Sequence, residues 1–261
     1  MLRWARRGRP GGLSALCVLL TLTAACAGPG APPRLGCAAG PVGRTPLTLD
    51  LEQARNAATI AGVGRRLGLP DHAVTVAIAT AIQESGLHNL PSGDRDSLGL
   101  FQQRPSQGWG SPDRILIPRL SAAAFYARLQ KVAGWQRLPV NDAAQSVQHS
   151  GLPGAYAQWE DQARLLAQVF TGEIAAGLSC TLARSDSVAD PAVVEAQARL
   201  DLGARGLRPA SAQAAWASAA WLVAHASGLH LRSVAAGGRQ WRARTGTWDG
   251  RASATRTLSY S

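Results

Sequence analysis

Ala73-Val-Thr-Val-Ala-Ile-Ala-Thr-Ala-Ile82 carries no charge, and Gln83-Glu84-Ser85-Gly86 follows it at once. Leu69-Pro70-Asp71 opens this segment as a helix, because proline is tolerated in a first turn, and Gly86 stops it. A helix that is apolar all round belongs in the interior of a domain, not on its surface. The ionisable side chain at its end, Glu84, is therefore a candidate active-site acid. Two effects act to raise its pKa. It stands at the negative end of a helix dipole, where an anion is disfavoured. Its neighbours on the same helix face, Ala81, Thr80 and Ala77, cannot neutralise it, and burial also favours the protonated acid. A structural glutamate bonded to backbone at a helix end is the competing reading, and the residues alone leave both open.

Outward from this helix the chain organises itself by its punctuation. Asp50 with Gln53 forms a capping box, and the helix it opens runs to about Leu67 and stops at Gly68. After Gly86 comes a polar loop with a Ser92-Gly93-Asp94 turn, then Ser97-Leu-Gly-Leu-Phe-Gln-Gln103. Further helices are expected near residues 120–132, 141–149 and 155–176. Val188 to Pro191 reads as a boundary. Beyond it, residues 192–203 and 210–227 look helical. Leu229 to Val234, Arg239 to Arg242 and Thr247-Trp248 look like short strands, the first two joined by a Gly237-Gly238 turn.

The start of the chain reads as an export signal over residues 1–26. Arg3, Arg6, Arg7 and Arg9 precede a short apolar stretch, Leu13 to Ala25, too short for a comfortable membrane span. Thr23-Ala24-Ala25-Cys26 resembles a lipobox, which makes Cys26 the candidate lipidation site. Simple cleavage near Ala27 and an uncleaved anchor are the alternatives. Residues 27–46, rich in Pro, Gly and Ala, read as a linker. Of the other cysteines Cys17 lies in the signal, so Cys37 and Cys180 remain, and in an oxidising compartment they read as one disulfide. The histidines are scattered without metal-ligand spacing, so no metal and no cofactor is expected. The formal charge of +11 falls to +7 without the four leading arginines. From Leu231 onward six arginines face a single acid, Asp249. A basic exported chain favours anionic envelope polymers or acidic lipid heads, and export argues against nucleic acid. Trp241 and Trp248, among those arginines, are candidates either for stacking on sugars or for covering a small sheet. His225 reads as a helix-face residue.

Glu84-Ser85-Gly86, then Gly99-Leu100-Phe101-Gln102, then Gln148-His-Ser-Gly-Leu-Pro-Gly-Ala-Tyr156 together resemble the lysozyme-like lytic transglycosylase superfamily, which includes goose-type lysozymes. Members carry a Glu-Ser step at the end of a central helix, a Gly-Leu-Met-Gln-like step after a loop, and an Ala-Tyr element further on. Here Phe101 stands where Met is common, and the third element matches only loosely. The resemblance covers about residues 48–176. It implies a lysozyme-like helical domain, placed over residues 47–182; the helices and short strands beyond the boundary read as a small α+β C-terminal module over residues 190–261, so the expected fold class is mainly α.

The resemblance also implies roles. Glu84 is the general acid, Ser85 fixes the helix end or the substrate, and Gln102 or Gln103 bonds the sugar. Phe101 forms the cleft wall or the core beneath it, and Tyr156 bonds near Glu84 or the substrate. The implied activity is cleavage of peptidoglycan glycan strands; the export signal places it outside the membrane, with a lipid anchor at Cys26 as the expected attachment. A hydrolase needs two carboxylates flanking the bond. Asp94 and Asp96 are the candidates for a second one, although aspartates at such positions usually cap turns. A lytic transglycosylase works with one glutamate, and no acid at tight spacing accompanies Glu84, which favours the lyase over the hydrolase. The contrasting expectation is a catalytically idle wall-binding or regulatory lipoprotein on the same fold.

Overall fold

Glycine in the left-handed region ends the central helix. In the computed structural model, which describes residues 35–261, α2 (Asp71–Ser85) stops where Gly86 takes φ 61°. There the Gly86 and Leu87 amides bond back to Ile82 and Ala81. All ten residues from Ala73 to Ile82 are buried. Around α2 pack α1 (Leu51–Arg66), α4 (Pro118–Leu129), α5 (Val140–Gln148) and α6 (Glu160–Thr171). A one-turn helix, α3 (Pro112–Ile115), precedes α4. The capping box of α1 is present, with Asp50 accepting from the Gln53 amide at 2.8 Å and Gln53 Oε1 accepting from the Asp50 amide at 2.9 Å. Close approach explains the small residues of α1. A Cβ at Gly64 would stand 2.9 Å from Tyr126 Oη, whose hydroxyl donates to the Ile60 carbonyl.

Two antiparallel sheets flank the helices. The first has the order β2-β1-β3, built from β1 (Gly36–Ala39), β2 (Leu47–Leu49) and β3 (Leu178–Thr181). Cys37 faces Cys180 across β1 and β3, and the two form a disulfide with a Cα–Cα distance of 4.0 Å. The bond joins residues 143 apart in sequence. In the chain-entropy model such a cross-link stabilises by about 5 kcal/mol.

The second sheet has the order β6-β5-β4-β7, from β4 (Ser233–Ala236), β5 (Arg239–Arg242), β6 (Thr247–Gly250) and β7 (Leu258–Tyr260). Gly237 and Gly238, with φ 51° and 77°, make the β4–β5 turn, where both central positions need positive φ. Between the sheets lie α7 (Pro191–Leu202) and α8 (Ala212–His225) in the chain, and α8 packs on both α1 and α6. One continuous apolar cluster runs from Cys37 to Trp241, and the described residues all fall within one compact unit.

The fold class is mixed α+β, with 45% helix and 12% strand, rather than mainly α. The strands that overturn the expectation are β1 to β3. They are only three or four residues long and spell Gly-Cys-Ala-Ala, Leu-Thr-Leu and Leu-Ser-Cys-Thr. None shows the long alternating run of β-branched and aromatic residues that announces a strand. They exist because β1 finds a partner more than a hundred residues away and is cross-linked to it. β1 lies inside the stretch expected to be a linker.

Trp241 and Trp248 belong to this architecture. Their indole N–H groups donate to the β3 carbonyls of Cys180 at 3.2 Å and Leu178 at 2.7 Å, which joins the second sheet to the first. Trp248 also meets Trp216 edge-on, with ring centroids 5.5 Å apart. The export signal, residues 1–26, and the lipidation candidate Cys26 lie outside the described residues, as does Cys17. Among the described residues no helix is long and apolar enough to cross a membrane.

Candidate functional site

Glu84 sits in the last turn of α2, half-buried. Its Oε1 accepts a hydrogen bond from Tyr156 Oη at 2.7 Å. Among the described residues no ion pair involves it. Burial pushes its carboxyl above the usual carboxylate range, while the hydrogen bond from Tyr156 and the nearby Gln148 amide pull the other way without cancelling the effect. Burial and the adjacent carboxylate hold the Tyr156 phenol protonated far above its ordinary value. Tyr156 is therefore a permanent donor to Glu84.

The surrounding loop is fastened to this helix end. Ser85 Oγ lies 3.0 Å from the Ala81 carbonyl and 2.8 Å from the Leu100 carbonyl, so its hydroxyl clips the Gly99–Gln103 loop onto α2. Gln148 Nε2 donates to the Phe101 carbonyl at 2.9 Å and so ties α5 to the same loop. The Phe101 ring is fully buried and stacked on Phe125, with centroids 4.8 Å apart. It forms the floor beneath the loop and offers no face to a ligand.

The two glutamines differ. Gln103 is buried and donates to the Ser121 carbonyl at 3.0 Å, while Leu98 and Gln103 exchange backbone bonds as an isolated bridge. Gln102 is half-buried, with φ 44°, and its amide folds back to the Gly99 carbonyl at 3.1 Å. A side chain at Gly93 would overlap Gln102 Oε1, so this glycine keeps the space over it.

The two aspartates of the loop are held differently. Asp96 accepts from Arg104 Nε at 2.6 Å and from the Ser106 amide at 2.8 Å, and these bonds hold its carboxyl well below the usual range. Asp94 is exposed, and its carbonyl closes a turn with the Ser97 amide.

Three residues around the end of α2 that the sequence gives no role are Gln148, Gln83 and Trp159. Gln83 Oε1 accepts from Trp159 Nε1 at 2.7 Å and from Gln158 Nε2 at 3.2 Å, which joins the end of α2 to the start of α6. The only signal of this in the sequence is that Gln83 precedes Glu84.

Among the described residues, cavities of about 330, 540 and 840 Å³ lie away from Glu84. Among the described residues no group of three or more His, Cys, Asp or Glu is placed to hold a metal ion. The geometry at Glu84 is that of one half-buried carboxyl with a raised pKa and a phenol donor beside it. Comparison of the chain with protein-family models and with curated proteins gave no match.

Proposed function

We propose that this chain is an exported glycan-cleaving protein that cuts the bond between N-acetylmuramic acid and N-acetylglucosamine in peptidoglycan, with Glu84 as its one acid and base. The observation that carries the reading is the half-buried Glu84 carboxyl, raised in pKa, bonded to Tyr156 and without an ion pair. A general acid at neutral pH must hold its proton, and a carboxyl does so only in such surroundings.

In the proposed reaction Glu84 protonates the glycosidic oxygen as the C1–O bond breaks. The Tyr156 hydroxyl then steadies the carboxylate left behind. That carboxylate removes the proton from the C6 hydroxyl of the same sugar, and O6 closes on C1. The product is a 1,6-anhydro end, Glu84 is again protonated, and no water is consumed. The capture of Asp96 by Arg104 supports this one-carboxylate route over hydrolysis, which needs a second carboxylate near the bond. The exposed arginines Arg232, Arg242, Arg244, Arg251 and Arg256 support retention on anionic envelope polymers. The proposed lipid anchor at Cys26 completes the attachment.

The second reading is a wall-binding or regulatory protein without turnover, which the loosely matched element from Gln148 to Tyr156 favours. Cell-wall sacculi separate the two. The first reading expects lysis by the purified chain, its loss in Glu84→Gln, and anhydro ends on the released muropeptides by mass spectrometry. Binding without lysis, equal in both forms, leaves the second. Reducing ends instead of anhydro ends turn the lyase into a hydrolase. Palmitate labelling that persists in Cys26→Ser rules out the anchor at that residue.

A further inference from the structure

The cavity of about 840 Å³ lies among the starts of β1 and α1 and the ends of β3, α8 and β5. Main-chain bonds fix several of these segments to one another. The Leu182 amide donates to the Ala243 carbonyl at 2.9 Å, and the Ala243 amide donates to the Arg232 carbonyl at 3.0 Å. The Leu231 amide donates to the Ala226 carbonyl at 2.9 Å. The lining is therefore set by the main chain of distant segments.

This lining has two chemistries. Its apolar part joins the buried Leu182, Ala226 and Leu231 to the half-buried Leu51 and Ala243 and to Leu35, which is 56% exposed. Leucine surface left open to water is surface that a ligand gains free energy by covering. The charged part is four exposed arginines, Arg184, Arg232, Arg242 and Arg244. Arg184 lies 3.4 Å from Asp186, and Arg242 lies 3.9 Å from Asp249. Among the described residues Arg232 and Arg244 have no carboxylate within ion-pair distance. A guanidinium keeps its charge at any ordinary pH, so both are fixed cations in contact with solvent.

These two parts narrow the ligand. An inorganic anion would answer the arginines and leave the leucines in water. A neutral hydrocarbon would cover the leucines and leave the arginines unanswered, and a cation would be repelled. Among the described lining residues no Trp, Tyr or Phe offers a face for stacking on a sugar or a base. An anion that carries hydrocarbon answers both parts, and a phosphate group matches the forked guanidinium. The volume lies within the ~300–1,000 Å³ of small-molecule sites. The source of such an anion follows from the tether. Cys26 precedes Leu35 by nine residues, at most about 30 Å of chain, so an anchored protein keeps this cavity within reach of the lipid surface.

We infer that this cavity binds an anionic phospholipid of the membrane face, with its phosphate on Arg232 and Arg244 and its acyl chains laid against Leu35, Leu51 and Ala243. The choice of a membrane lipid rests on the proposed export and anchoring. The site owes nothing to the chemistry at Glu84.

Calorimetric titration of the full chain with dihexanoyl-phosphatidylglycerol, kept below its micelle concentration, tests this. Saturable one-to-one binding is expected. Dihexanoyl-phosphatidylcholine, whose choline meets the arginines with a like charge, should bind about tenfold more weakly or worse. Glycerophosphoglycerol, the same headgroup without chains, should also lose about tenfold or more, because nothing covers the leucines. Arg232→Gln and Arg244→Gln should each weaken the phosphatidylglycerol about tenfold and narrow its lead over the phosphatidylcholine. Leu35→Glu sets a carboxylate at the cavity and should weaken the anionic lipid more than the zwitterionic one. All three positions are exposed, so these variants keep the fold, which circular dichroism checks. Glu84→Gln should bind as the parent does, which keeps a failure here distinct from a failure of the proposed catalysis. The inference is overturned if no saturable binding occurs below the micelle concentration, if the phosphatidylcholine binds equally well, or if the arginine variants bind unchanged. It is also overturned if glycerophosphoglycerol or inorganic phosphate binds as tightly as the lipid, which would leave a plain anion patch.

Discussion

Two helices of this molecule are apolar nearly all round, and each ends in a titratable side chain. In α2 the group is Glu84, and in α8 it is His225. Their surroundings part them. Glu84 keeps some contact with solvent and has a phenol donor, Tyr156, from a neighbouring element. His225 is sealed, stacked on Trp221 with centroids 4.2 Å apart, and bonded to that residue's carbonyl. The helix dipole disfavours a charge at Glu84 and favours one at His225, yet burial disfavours the charged form of both. Helix position therefore does not decide whether a terminal ionisable group is available for chemistry. Access and the donors around it do.

Breaking each helix end in turn should separate them most. Glu84→Gln is expected to reduce sacculus lysis by about 10²–10⁴-fold, the range for loss of a general acid. His225→Gln should leave lysis within about threefold, since one charge-assisted bond is already worth about tenfold and His225 makes no bond to Glu84. Comparable losses in both variants would erase the distinction.

Acid stability sharpens it next. Burial pushes the His225 imidazole from 6.5 down to about 4. A basic group with a depressed folded pKa takes up a proton more readily when unfolded. Stability is therefore lost as pH falls from 6.5 towards about 4, by about 3 kcal/mol at about 1.4 kcal/mol per pH unit. Asp201 is pushed up by burial, so it opposes this trend at the acid end of the window and gives the imidazole little countercharge. Urea titrations of the parent and of His225→Gln between pH 7 and pH 4 measure the difference, and parallel curves would refute it.

A smaller effect is expected at Tyr156. Tyr156→Phe removes a donor that favours the ionised glutamate, so the Glu84 pKa rises further. Lysis should fall about tenfold, as for one hydrogen bond to a charged group. The high-pH limb of the rate profile should also move upward, because the acid stays protonated longer. A downward move would contradict the assignment.

The least effect concerns stability at Glu84 itself. Its folded pKa is raised, so the native state holds the proton more tightly than the unfolded state. Stability attributable to this residue is present below the ordinary carboxylate value and declines as pH rises through the raised one. Glu84→Gln should therefore gain on the parent as pH rises, and a gain that shrinks with pH would reverse the sign.

Local chemistry was legible in the sequence. The charge-free run of α2, the Asp50–Gln53 box, the stop at Gly86, the Gly237-Gly238 turn and the pairing of Cys37 with Cys180 all follow from nearby residues or from composition. The small first sheet was not legible, because its strands are too short to carry a periodic signal. His225 read as a helix-face residue, because nothing in its own helix announces Asp201 or Thr59. Phe101 and Gln103 went into the core while Gln102 stayed near the surface, which neighbouring letters in one loop do not distinguish.

The sequence by itself determined where α1 and α2 start and stop, that α2 is interior, and that a carboxyl stands at its end. Those properties arise from side-chain preferences over a few residues. Only the tertiary structure decided that Tyr156, 72 residues away, donates to Glu84, that Arg104 takes Asp96, and that Arg232 and Arg244 share a cavity with Leu35 and Leu51. Burial and hydrogen bonding between distant segments depend on packing, and packing sets which ionisable groups keep their protons.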